Sequence, residues 1–139
     1  MYERFISCMK SIGSTYKEIT SVGNQVHMLL IEKKVKDMQP LQMQVMKLLE
    51  ELQQKEAEIA SLLPSGSVEE VMLTSSEREY VEALVAEIRR EEQNARQVLK
   101  RNQYALQLQI SITENIVDCI SDMHMEQHHN SQLFVNELL

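Results

Sequence analysis

The chain has 139 residues, a net charge of −7, 4% aromatic residues, no Trp, three Gly and two Pro. So few breakers leave room only for a few long elements, which excludes most sheet folds, since these need a turn about every dozen residues. The acidic total argues against nonspecific nucleic-acid binding, which needs a basic face to displace phosphate counterions. The charge is also uneven. Residues 1–36 are net basic, with Arg4, Lys10, Lys17, Lys33, Lys34 and Lys36 against Glu3, Glu18 and Glu32, while the remainder is net acidic. A basic first segment beside acidic ones favours packing within the chain, although exposed pairs are individually weak.

Taken in chain order, the first predicted helix spans 1–36. Phe5, Met9, Ile12, Tyr16, Ile19, Gly23, Val26 and Leu30 recur at alternating four and three, which places them on one face. Gly23 stands in an inward slot, where it either admits a close neighbour or weakens the helix; the weak spot is the expectation. Asp37 and Pro40 close this segment, because Pro40 disfavours helix at Gln39 and suits the first turn of the next one.

The second predicted helix, 40–63, carries Leu41, Val45, Leu48, Leu52, Lys55, Ile59 and Leu62, with Met46 and Leu49 widening the stripe. Leu63-Pro64-Ser65-Gly66-Ser67 is the clearest break, opening a connector over 64–74 with a short helical turn at 68–72. Two capping-box patterns follow, Ser67 with Glu70 and Thr74 with Glu77, and Ser76 with Glu79 offers another start.

The third predicted helix runs from 75 to 125, on the order of 75 Å. Its seam is Val81, Leu84, Ile88, Glu91, Ala95, Val98, Asn102, Ala105, Gln109, Ile112, Ile116, Cys119 and Met123. That spacing is built to lie against other helices. Polar Glu91, Asn102 and Gln109 interrupt it, and as seam residues they are expected to limit self-association, as a buried Asn does in coiled coils. Tyr104 to Ile112 alternates like a strand, but among helix formers with no turn residue on either side a helix apolar nearly all round fits better. A second helix of roughly 22 residues covers only about 33 Å of the third, so part of the third needs another cover.

The end, 126–139, begins polar with Gln127, His128 and His129 and finishes in an apolar knot of Leu133, Phe134, Val135, Leu138 and Leu139. It is either a short helix docked on the bundle or an amphipathic segment that closes over a partner. The fold class expected is therefore all-α: an antiparallel three-helix bundle or coiled coil, one domain, with a very long third helix and a C-terminal tail.

Chemistry-bearing groups are sparse. His124 and His128, four apart, are the weak metal candidates, but Met125 follows His124 where a metalloprotease pattern places its Glu. His27 is followed by Met28-Leu29-Leu30, which leaves a phosphoryl group no approach, so a boundary histidine is expected. Glu50-Glu51 and Glu91-Glu92 read as solvated faces, and there is no phosphate loop or nucleophile elbow. No catalytic group, cofactor or metal is assigned. Cys8 and Cys119 are expected as small core residues of a reducing compartment, and most of the nine Met as core filling. With no signal-peptide pattern at Met1 to Lys10 and no apolar run longer than Met28 to Ile31, a soluble cytoplasmic protein is expected.

Leu29-Leu30-Ile31-Glu32-Lys33-Lys34, running through Asp37-Met38 to Leu41, resembles the leucine-rich segment and short acidic joint of the FlgN family of bacterial flagellar export chaperones. The stretch in which Asn94, Leu99 and Asn102 precede Leu106, Ile112 and Ile116 is similar to the family's run into its binding helix. Pro40, the Arg-poor second helix and the histidine-rich tail depart from the pattern. The resemblance implies a non-enzymatic cytoplasmic chaperone. It would hold the terminal helices of hook-filament junction proteins and deliver them to the flagellar type III export apparatus. Helix-in-groove binding needs a few apolar anchors. These are expected at Leu106, Ile110, Ile112, Ile116, Val117 and Ile120, with Leu133, Phe134 and Leu138 as cover. A structural coiled-coil homo-oligomer and a type III chaperone for another client are the alternatives.

Overall fold

The computed structural model describes residues 1–63 and 73–124; for 111–113 and 121–124 it describes the backbone alone. Three helices follow in order: α1 (Tyr2–Ile31), α2 (Val35–Leu62) and α3 (Ser75–His124). The fold is all-α, and no helix among the described residues is long and apolar enough to cross a membrane.

The predicted stripe of α1 is turned inward along its whole length, from Phe5 through Ile12, Tyr16 and Ile19 to Val26 and Leu30. Cys8, Thr15 and Val22 are buried as well, so α1 is covered on more than one side. The reason is its place in the bundle. It packs against both α2 and α3, whereas α2 and α3 meet each other only weakly. Contacts to α2 run in opposite directions along the two helices, as with Arg4 and Glu58 or Thr15 and Lys55. Contacts to α3 run in the same direction: Lys17 meets Glu87, Asn24 meets Arg101, and Leu30 meets Gln109. The arrangement is up-down-up, with α1 and α3 parallel.

The core divides along the bundle. Its middle holds Ile12, Tyr16, Ile19, Val22, Val45, Leu48, Leu52, Leu84, Ile88 and Ala95. Phe5, Leu63 and Val81 close the end from which the α2–α3 connection leaves. Val26, Leu30, Met38 and Leu106 close the other.

The joint between α1 and α2 is displaced from its expected place. Helix α1 stops at Ile31 rather than 36, and α2 begins at Val35 rather than 40. Lys33 takes a left-handed backbone with φ of 59°, and its N–H donates to Leu30 C=O while that of Lys34 donates to Leu29 C=O. This is a Schellman turn with Lys where Gly usually stands. Pro40 consequently lies inside α2. A proline in a helix interior forfeits a hydrogen bond and costs on the order of 3 kcal/mol. Here Lys36, whose carbonyl loses its partner, and Pro40 are both exposed, so water can serve that carbonyl. The opposing gain is Met38, only 1% exposed between Val26, Leu30 and Leu106; burying such a side chain contributes roughly 1.5–3 kcal/mol.

Helix α3 begins at Ser75 as expected. Thr74 Oγ1 accepts from the Glu77 N–H at 3.2 Å and donates to its carboxylate at 2.9 Å, so the cap is the one its sequence announces. The other cap pattern, Ser67 with Glu70, and the turn at 68–72 lie outside the described residues. The stretch that alternates from Tyr104 to Ile112 is helical.

Three side-chain expectations are corrected. Gly23 is a place of close approach: a Cβ there would overlap Val98 Cγ1. Cys119 is exposed, while Cys8 alone serves as a small core residue, its thiol donating to Lys55 C=O at 3.5 Å. Burial pushes the Cys8 thiol pKa up. Of the methionines whose surroundings are described, only Met38 is fully buried; Met1, Met28, Met43 and Met46 are exposed.

A candidate helix-binding surface

The seam of α3 falls into two parts. From Val81 to Val98 its apolar members are buried against α1. Two of the three polar interruptions have partners in that interface. Asn102 donates through Nδ2 to Gly23 C=O at 2.7 Å, and Gln109 through Nε2 to Leu30 C=O at 3.4 Å. Asn102 therefore ties α3 to α1 and holds the two in register. Its partner is a helix backbone that only a glycine exposes so closely, which is why the slot pattern alone did not reveal it.

Leu30 lies one residue from the end of α1, so α3 runs on past Gln109 for about 22 Å beyond its companion. Here the seam members whose side chains are described, Ile116 and Cys119, are exposed. Ile116 is 56% exposed and Ile120 48%, with Val117 and Ile110 half-buried between and before them. Ile116 and Ile120 stand four apart and share a face. The backbone of Ile112 belongs to the same helix, while its side chain lies outside the described residues, as do Leu133, Phe134 and Leu138. Leu106 is not a free anchor: it is buried in the core with Val26, Leu30 and Met38.

The weak meeting of α2 and α3 leaves a second feature that the sequence did not announce. Between them, floored by Gly23 and Val26 of α1, lies a cleft open to solvent. Val45 and Met46 form one wall, Leu99 and Leu106 the other, with Gln42 and Gln103 at the sides. None of the lining residues is charged.

Elsewhere several polar groups are paired off. A hollow between α1 and the start of α3 contains Lys17 beside Glu87 at 3.4 Å and Lys10 over the Tyr80 ring at 5.7 Å. Lys55, an inward slot of α2, donates to buried Thr15 at 2.7 Å, and Thr15 donates to Ser11 C=O at 2.9 Å. Tyr16 donates to Glu56 at 3.4 Å; burial, with Glu92 and Glu56 nearby, pushes its pKa up to about 12. His27 is half-buried, with Nδ1 enclosed and lacking a partner. No group of three His, Cys, Asp or Glu that would hold a metal comes together among the described residues. His124 ends α3 without a described side chain, and His128 lies outside the described residues. Comparison with protein-family models, curated proteins and solved structures finds no match.

Proposed function

We propose that this chain is a non-enzymatic chaperone that captures an amphipathic helix on the free end of α3. The observation that supports it is the exposed pair Ile116 and Ile120, on a seam whose earlier apolar members are buried. A disordered segment that folds on binding needs such a stripe, because helix-in-groove recognition takes its affinity from a few apolar anchors. Each half-exposed isoleucine contributes about 1 kcal/mol when covered, so two anchors make a weak, reversible site on their own. Val117 and Ile110 extend the same surface. Reversibility suits a carrier that must release its cargo.

The resemblance of Leu29 to Leu41 and of Asn94 to Ile116 to the FlgN family supplies the client. The cargo is the terminal helix of a hook-filament junction protein, held in the cytoplasm and handed to the flagellar type III export apparatus.

The test is capture of a terminal-helix peptide of such a junction protein by the full chain, measured by calorimetry. Replacing Ile116 and Ile120 together by Asp should weaken capture at least tenfold while circular dichroism and melting stay unchanged. Equal capture by the double variant would remove the α3 end from the binding site. A chain that forms a tight dimer at all concentrations and takes no peptide would instead be a structural coiled coil.

A further inference from the structure

Charge is ordered along the overhang of α3, the part that runs on past Gln109. At its foot lies the α1–α2 turn, where Lys33, Lys34 and Lys36 outnumber Glu32 and Asp37, all of them exposed. Lys34 is paired with Glu32 at 3.0 Å, while Lys33 and Lys36 have no ion pair among the described residues. The backbone at Lys33 is left-handed, a conformation that glycine holds without strain. A cation stands there instead, at a cost to the fold. Farther along the sign reverses. From Ala105 to His124 the chain has Glu114, Asp118 and Asp122 and neither Lys nor Arg. The overhang is thus basic at its foot and acidic toward its tip, with the exposed Ile116 and Ile120 along it.

That order decides what covers the apolar side. A partner rod needs an acidic end for the foot and a basic group for the tip, so the pairing has a direction. The overhang of a second copy, turned end for end, supplies both. Its acidic tip comes to the foot of the first copy, and its own foot brings lysines to the first copy's tip. Setting Gln109 of one copy level with His124 of the other places a two-fold axis between Ile116 and Val117. In that register Asp122 stands level with Ser111 of the other copy, about 3 Å past the foot, and Asp118 about one turn farther. A parallel copy sets carboxylate beside carboxylate and leaves the lysines unmatched. The net charge of −7 opposes pairing at long range, where physiological salt screens it beyond about 8 Å; the opposite charges at the foot act inside that distance.

We propose that this chain pairs with a second copy through an antiparallel, two-fold contact of the α3 overhangs. Ile116 and Ile120 are covered by their counterparts, and the Lys33–Lys36 turn of each copy lies against the acidic Asp118–Asp122 stretch of the other. Two rods of that length bury well below the roughly 1,600 Å² of a standard interface, so the dimer is a weak one. The pairing stands on the overhang alone. Its consequence rests on the helix-binding reading and deepens it: client helix and second copy take the same surface, so capture is a displacement and the free chaperone does not leave its isoleucines bare.

Sedimentation equilibrium of the full chain, from micromolar to millimolar concentration, tests the pairing. A reversible monomer–dimer equilibrium is expected. Lys33→Glu with Lys36→Glu should weaken it at least tenfold, and so should Asp118→Lys with Asp122→Lys, each with helicity retained. All four reversals in one chain restore opposite charges across an antiparallel contact, but not across a parallel one, and should return the dimer. Lys33→Gly, which relieves the turn, should raise the melting temperature yet weaken the dimer, a split that damage to the fold cannot produce. A dimer indifferent to the charge reversals, or a folded fourfold variant that stays monomeric, would overturn the proposal. So would a chain that is monomeric at every concentration; if its Ile116 and Ile120 methyl signals then move in Phe134→Asp, the chain's own end is the cover. Peptide capture is read separately, so a dimer that forms in a chain taking no client peptide sinks the chaperone reading and leaves the pairing standing.

Discussion

The side-chain amide of Asn102 donates to the backbone carbonyl of Gly23, 2.7 Å away and 79 residues earlier in the chain. That bond joins a polar slot on one helix to a position without a side chain on another. It accounts at once for a glycine in an inward slot and an asparagine where the seam calls for an apolar residue.

The two helical glycines of α1 should consequently respond in opposite ways to alanine. At Gly23 the new methyl group overlaps the stiff side chain of Val98, which is itself buried. Gly23→Ala should destabilise by about 1–3 kcal/mol despite better helix propensity, and Val98→Ala in the same chain should recover part of the loss. At Gly13 the methyl group meets only Ile88 Cγ1, at 3.3 Å. A small shift accommodates it, so Gly13→Ala should be stabilising by roughly 0.5 kcal/mol. Urea midpoints of the three variants check the sign of each.

Lys33 occupies the left-handed position of the turn between α1 and α2. A side chain there is strained, and the flanking hydrogen bonds need only the backbone. Lys33→Gly should raise stability by about 0.5–1 kcal/mol, seen as a higher melting temperature with an unchanged helical spectrum.

Alkaline pH should weaken the fold through Tyr16. Its folded pKa lies near 12, above the ordinary value of 10. Below pH 10 the phenol is neutral in both states and makes no pH-dependent contribution. Between 10 and 12 the unfolded chain gives up the proton that the folded chain retains, so stability falls as pH rises through that window. The loss should be about 1 kcal/mol, because the phenol bonds to an exposed glutamate and is partly screened. In Tyr16→Phe this component of the decline between pH 10 and 12 should disappear from denaturant titrations.

Met38 is what allows α2 to begin ahead of its proline. Met38→Ala should cost about 2–3 kcal/mol from the emptied site between Val26, Leu30 and Leu106. It should also fray the first turn, so that amide exchange at Asp37 and Gln39 accelerates more than at Leu48.

These cases show where the amino-acid order speaks plainly. The stripe of α1 and the Thr74 cap were legible because each depends on spacing within one helix. The α1–α2 joint was misplaced because proline and glycine rules are local, whereas Met38 is held by three residues from two helices. Gly23 was ambiguous for the same reason: its meaning lies in Val98 and Asn102. At the end of α3, Ile116 stood out as a seam member beyond the reach of a shorter companion, with Ile120 one turn further on the same face. Leu106 looked equivalent to them in the pattern and is set apart only by where α1 ends. The cleft could not be foreseen, since nothing in the order of residues says that α2 and α3 would both turn to α1 and barely meet.

That central position of α1 also dictates the sequence of assembly. Its pairing with α2 is a local hairpin, complete once about the first 60 residues exist. Its pairing with α3 joins groups some 75–79 positions apart, and such distant closure is slow for a helical protein. During synthesis the strip of α1 that ends beneath Val98 and Asn102 is therefore left bare until those residues emerge, a window in which a nascent chain is open to mispairing with its neighbours.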